Sequence, residues 1–220
     1  MSPDLRVRRT RKLLREALVE LIEERSFEAV TVQEIAERAM VSRAAFYRHY
    51  RDKYALVESI HEELFATVAG EMDGGRRLAI DQADADCPGD PWAYLFERSP
   101  LARETPRGWL LLFEHFARYE RLYRALLGRN GSPWFATKLR AYLAALIGRR
   151  LAGLAAQVGA RRAAESPALV DGLLPAVIAA QIVEAVTWWL ERGRPYPTER
   201  LADYGFRCMC AVLRDFPAWE

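Results

Sequence analysis

The chain has 220 residues, 51% of them apolar, with 32 Lys and Arg against 30 Asp and Glu for a net charge of +2. That length allows one domain or two small ones, and the near-neutral balance does not by itself point to nucleic acid. No apolar run is expected to reach the ~20 residues of a membrane span. The N-terminus lacks the apolar stretch of a signal peptide, and three cysteines without framework spacing fit a reduced, cytoplasmic protein.

Helical periodicity dominates and strand signals are almost absent, so the expected fold class is all-α. The first helix is expected from near Arg6 to Arg25, with Leu14, Leu18, Leu21 and Ile22 on one stripe, and Ser26-Phe27 ends it. Arg6, Arg8, Arg9, Arg11, Lys12 and Arg15 crowd its first turns. Such a run is usually a solvated helix face. Beside a DNA-reading element it becomes an electrostatic footprint.

Residues 31–53 read as two short helices joined by a tight turn. Thr31 is a good N-cap, and Glu34 three positions later completes the capping-box form. Ile35, Ala36 and Ala39 face inward, and Val41 packs in the turn. Ser42 is a second N-cap, opening a helix in which Phe46 and Tyr50 lie four residues apart on one buried face. The opposite face shows Arg43, Ala44, Tyr47 and Arg48. Small residues near a helix start let its backbone approach bases in the major groove, and Arg pairs bidentately with guanine.

This segment resembles the DNA-binding domain of the tetracycline-repressor (TetR) family of bacterial transcription regulators. The likeness runs from near Arg9 to Leu64, through Ala17, Leu21, Phe27, Thr31, Ile35, Ala36, Ala39, Val41, Ser42, Phe46, Tyr47, Tyr50, Lys53 and Leu56. The family usually has Gly where Met40 stands, because a position just past a helix end often needs positive φ. The resemblance implies a helix-turn-helix head over 1–52 and an effector-binding and dimerisation domain over 53–220. It also implies a DNA-contacting set of Thr31, Ser42, Arg43, Ala44, Tyr47, Arg48, His49 and Lys53. Arg43 is expected at a base edge. Tyr47, His49 and Lys53 are expected at phosphates, with Thr31 joining them from the preceding helix.

Further along, Lys53 to Met72 carries Leu56, Ile60, Leu64 and Val68 at helical spacing. Residues 73–91 read as an acidic, turn-rich loop with a helical turn around 77–80. Helices are expected over 92–96, 106–127, 132–158, 166–192 and 198–215. Ser132-Pro133 and Ser166-Pro167 each have the form of an N-cap followed by Pro at the first helical position. Trp109, Phe113, Phe116 and Tyr123 recur at helical spacing, either as core or as one wall of an effector cavity, since ligand pockets are mostly apolar. His115, Glu114 and Arg118 are the polar groups nearest to them in sequence.

Pro175 to Leu190 is apolar nearly all round, so that helix is central in the core or buried at an interface. The resemblance pairs the last two helices with their copies across a two-fold axis, with Ala180, Val183, Val186 and Met209 in the interface. A palindrome is read by two recognition helices only when a two-fold axis sets them about one helical turn apart. Cys208 and Cys210 point to roughly opposite helix faces and read as buried thiols.

Enzymatic signals are weak. Glu58 and His61 have the Glu-x-x-His spacing of a di-iron bundle, but the second such motif is missing. No Gly-rich phosphate loop and no nucleophile in a recognisable context is present, so no catalytic residue, metal or cofactor is expected. The expected function is a homodimeric repressor that binds a palindromic double-stranded DNA operator and is released by a small-molecule effector. An activator of the same fold and a non-specific architectural DNA-binding protein are the alternatives, the latter disfavoured by the long apolar helical body after the head.

Overall fold

A computed structural model gives the fold and describes residues 3–74, 104–157, 166, 169 and 171–215. The loop expected after residue 74, the helix expected over 92–96 and Cys87 lie outside the described residues. The described residues form helices and no strand: α1 (Pro3–Glu24), a 3-10 turn (Phe27–Ala29), α2 (Val32–Arg38), α3 (Arg43–Tyr47), α4 (Lys53–Gly74), α5 (Arg107–Arg118), α6 (Glu120–Leu127), α7 (Pro133–Gln157), α8 (Leu173–Glu191) and α9 (Thr198–Asp215). They divide into two compact units, Met1–Thr67 with Tyr119–Thr137, and Val68–Arg118 with Lys138–Glu220.

In the first unit, Leu14, Leu18, Leu21 and Ile22 of α1 are buried with Phe27, Ile35, Phe46, Leu56, Val57 and Ile60. Each such side chain contributes about 1.5–3 kcal/mol on leaving water. Helix α6 packs on α1, and Arg121 forks onto Glu23 at 3.0 and 2.9 Å. The loop after α6 is tight: a Cβ on Gly131 would lie 2.3 Å from the Leu126 carbonyl oxygen. Ser132 then caps α7, accepting from Phe135 N–H at 3.2 Å, with Pro133 as the first helical residue as its spacing required. The single helix expected over 106–127 is two helices. Tyr119 leaves the helical region at φ −108° and ψ 31°, and the two units part there.

In the second unit, α9 packs against α5 and α8. The Trp109 indole N–H donates to Ala202 O at 2.8 Å, and Gln181 donates to Gly205 O at 3.3 Å. Gly205 permits the close approach of α5 to α9, since a Cβ there would lie 3.2 Å from the Phe113 ring. Against the sequence expectation, one helix among the described residues, Leu173–Glu191, is long and apolar enough to cross a membrane by length and composition. Its Leu174, Ile178, Ala179, Ile182, Val186, Trp189 and Leu190 are buried in the core of this unit. Cys210 is buried, and burial pushes its thiol up to about 11. Cys208, read from sequence as buried, is exposed on the other face of α9.

Candidate nucleic-acid interface

Helix α2 begins with a complete capping box. The Thr31 hydroxyl accepts from Glu34 N–H at 3.3 Å, while the Glu34 carboxylate accepts from Thr31 N–H at 2.9 Å. The bonds that the Thr31 N–H and hydroxyl donate to the carboxylate, with the Arg25 guanidinium 2.8 Å away, hold the Glu34 carboxyl below the usual carboxylate range. Arg38 forks onto Glu24 at 2.8 and 3.0 Å and ties α2 to α1.

Helix α2 ends in a Schellman motif. Val41 N–H donates to Ala36 O at 2.9 Å and Met40 N–H to Glu37 O at 3.0 Å. The residue between the helix and Val41 must turn left-handed. Met40 does so at φ 53°, with its side chain 89% exposed. Thus the turn keeps its shape without glycine.

Ser42 caps α3 by accepting from Ala45 N–H at 3.1 Å. Ala45, Phe46 and Tyr50 are buried, with the Phe46 and Tyr50 ring centroids 5.8 Å apart. That anchoring leaves Ser42, Arg43, Ala44, Tyr47 and Arg48 exposed together on one face, as the spacing required. The Arg43 guanidinium donates to Tyr47 Oη at 3.3 Å and lies 5.5 Å from its ring centroid. His49 is half-buried next to this face. Burial first, then the nearby Arg11 and Arg48 charges, lower its pKa. The Arg11 charge on α1 is thus felt at His49, a contribution legible in sequence only as an undirected charge run.

Besides the Ser42 cap and the Arg43–Tyr47 bond, two further members of the expected DNA set have intramolecular work. The Thr31 hydroxyl also donates to Glu34 at 2.8 Å. Lys53 does not extend into solvent; its ammonium donates to Phe27 O, Glu28 O and Val30 O at 2.9, 2.9 and 3.0 Å.

The aromatic set is shared between the two units. Trp109, Phe113 and Phe116 lie on α5 in the second unit, where Trp109 and Phe113 are 5.6 Å apart and Trp109 meets Phe206 of α9 at 5.7 Å. Tyr123 belongs to the first unit and packs on Phe135 at 6.2 Å. Among the neighbouring polar groups, His115 is fully buried, Arg118 is exposed, and Glu114 is ion-paired to Arg107 at 3.1 Å.

The four residues expected at a dimer interface also separate. Val183, Val186 and Met209 are buried within the single chain, and Ala180 is exposed. The outward stripe of α8 is Leu173, Val177, Ala180 and Trp188, beside Tyr204 of α9. Trp188 stacks on Tyr196 at 6.1 Å, which meets Tyr204 edge-on at 5.9 Å. Of this stripe, sequence reasoning named only Ala180. Its one signal was Glu184, which shares the same face.

The family model for bacterial regulatory proteins of the tetR family matches residues 14–60. An uncharacterized HTH-type transcriptional regulator of Bacillus subtilis (strain 168), YxbF, is 39% identical over 51 residues, which are 23% of this chain and 13% of that protein. The match therefore spans a small part of that relative. Among solved structures, a TetR transcriptional regulator from Streptococcus agalactiae 2603V superposes with a TM-score of 0.56 at 19% identity, covering 94% of this chain and 96% of that one. One described as a TetR-family regulator from Syntrophomonas wolfei str. Goettingen gives 0.56 at 14% identity over 95% of each chain. At such identity these likenesses establish the fold alone. Residues 14–60 carry the helix-turn-helix of the tetR family of bacterial regulatory proteins, and the chain as a whole shares the fold of these two solved TetR regulators.

Proposed function

We propose that the chain binds a palindromic double-stranded DNA operator as a homodimer and represses transcription until a small-molecule effector releases it. The observation that carries the reading is the capped, internally anchored α3, which presents Ser42, Arg43, Ala44, Tyr47 and Arg48 on one exposed face. Small residues there let the backbone come close to base edges, and Arg43 at the helix start is the base reader. Tyr47, Arg48 and His49 hold phosphates, and Arg11 adds positive field beside them.

In this reading residues 1–52 do the recognising and 53–220 do the sensing and pairing. The dimer face is the exposed stripe Leu173, Val177, Ala180 and Trp188 with Tyr204, interrupted by Glu184, since large apolar side chains exposed on one face favour a partner surface. The effector is apolar or aromatic and is sensed near Trp109, Phe113 and Phe116, with His115 as the buried polar group of that helix. Release from almost fully competent to almost fully incompetent needs about 5.5 kcal/mol of differential affinity.

Selection from a pool of random duplexes tests the reading, followed by sedimentation of the complex. The expected product is an inverted repeat bound by two chains. Enrichment of no sequence, or one chain on an asymmetric site, contradicts it.

A further inference from the structure

Helix α4 starts at Lys53, and the three carbonyls its ammonium meets, Phe27 O, Glu28 O and Val30 O, all belong to one short turn. An ammonium has three N–H donors, so the set is complete. The same Nζ lies 4.7 Å from the centroid of the buried Phe27 ring and 5.6 Å from that of Tyr54. Rings at such distances add cation–π attraction. Burial lowers the Lys53 pKa, opposed in part by the Glu28 charge.

The turn is held from other directions as well. Phe27 N–H donates to Asn130 O at 2.8 Å, and Tyr54 Oη donates to Glu28 at 2.9 Å. It ends at Val30, and the next residue is Thr31, the N-cap of α2. Fixing this turn fixes where α2 begins. Helix α2 in turn carries α3 through the tight turn at Met40.

We propose that Lys53 is a positioning residue for DNA binding. It is a three-point clamp that sets the start of α2, and through it the aim of the recognition helix, instead of a phosphate contact. This rests on the DNA-binding reading above. Nζ cannot donate to a phosphate without abandoning carbonyls it already satisfies. Arginine does not substitute, because its planar fork does not match three convergent carbonyls. A phosphate contact, in contrast, accepts Arg readily.

Lys53→Met and Lys53→Arg are compared with the wild type on a selected duplex and its scrambled counterpart, over a salt series, with a melting curve for each. Both variants should lose roughly tenfold or more of the preference for the selected duplex, with the log–log salt slope unchanged. A slope reduced by about one unit in the Met variant, with preference intact and Arg restoring wild-type behaviour, overturns the clamp in favour of a phosphate contact. Lower melting with preference and slope both intact overturns the positioning role, leaving Lys53 merely structural. Should the variants fail to fold, the wild type decides by NMR of the Lys53 ammonium. Its N–H signals should be protected from solvent before the duplex is added and stay so afterwards. Protection seen only in the complex contradicts the proposal. If the wild type selects no duplex, the DNA-binding reading fails and the positioning role falls with it, whereas the ammonium signals still report the clamp itself.

Discussion

Thr31 and Glu34 cap each other across the first turn of α2: each donates a backbone N–H to the other's side chain, at 2.9 and 3.3 Å. Two of the helix's orphan donors are thereby satisfied. Thr31→Ala should cost about 1 kcal/mol of stability, read from denaturant melts. The Glu34 carboxyl lies below its ordinary value because Thr31 and Arg25 favour the charged form. Its contribution is therefore present above the unfolded carboxylate value of about 4.3 and is lost as pH falls through the lower folded value. Glu34→Gln should flatten that acid limb. An acid limb identical to the wild type's would mean the capping carboxylate does not titrate with folding.

Met40 is the clearest departure from the family's sequence pattern, and the structure gives it a measurable strain. At φ 53° a side chain crowds the following carbonyl, and this one makes up little of that by packing, being 89% exposed. Left-handed backbone costs a non-glycine residue about 1–2 kcal/mol, of which the looser unfolded chain of a glycine variant returns about 0.4–1 kcal/mol. Met40→Gly should therefore raise stability by roughly 0.5–1 kcal/mol, a melting shift of about 1–4 °C. A lower melting temperature would show that the Met40 side chain holds the turn.

The two faces of α8 give opposite outcomes for the same substitution. Val177→Arg on the exposed stripe should abolish the dimer and leave a folded monomer, because the charge is desolvated only by a partner. Val183→Arg should unfold the chain, because Val183 is 4% exposed and an unpaired buried charge costs several kcal/mol. Light scattering paired with circular dichroism separates the two. A stable dimer from Val177→Arg would move the interface off this stripe.

Local signals in the sequence carried the head. Thr31, Glu34 and Ser42 are capping residues, whose effect depends on neighbours within one turn, and all three cap as expected. Ser132-Pro133 worked for the same reason. The break at Tyr119 was invisible because its aromatic flanks continue the helical spacing without glycine or proline. It divides Tyr123 from Trp109, Phe113 and Phe116. The facing of α8 was also hidden, since a helix apolar all round has no amphipathic stripe to orient it. Lys53 illustrates a further limit: position in a motif indicates proximity to DNA, but not that three carbonyls from residues 27–30 already occupy its donors.

His49 predicts a pH dependence. Burial, then Arg11 and Arg48, lower its pKa, so the folded chain binds this proton less readily than the unfolded one. Its part of the stability is complete above the unfolded value of about 6.5 and declines as pH falls from there toward the folded value. A phosphate at His49 would raise the pKa again, so DNA binding should take up a proton and tighten as pH falls through the histidine range. Calorimetry in buffers of different ionisation enthalpy measures that proton. Uptake unchanged in His49→Gln would assign it to another group.

Arg43 is where the account is most exposed. It stands at the start of α3 beside Ala44 and donates in the free protein to Tyr47 Oη at 3.3 Å. A base-reading arginine contributes about 1–3 kcal/mol of discrimination, whereas a phosphate contact contributes alike on every sequence. The decisive measurement is binding of wild type and Arg43→Ala to the selected duplex and to single-base variants of it. The account predicts a loss of about 1–3 kcal/mol on the selected duplex with preference relaxed at one base pair in each half-site. Equal losses on selected and scrambled DNA would contradict it.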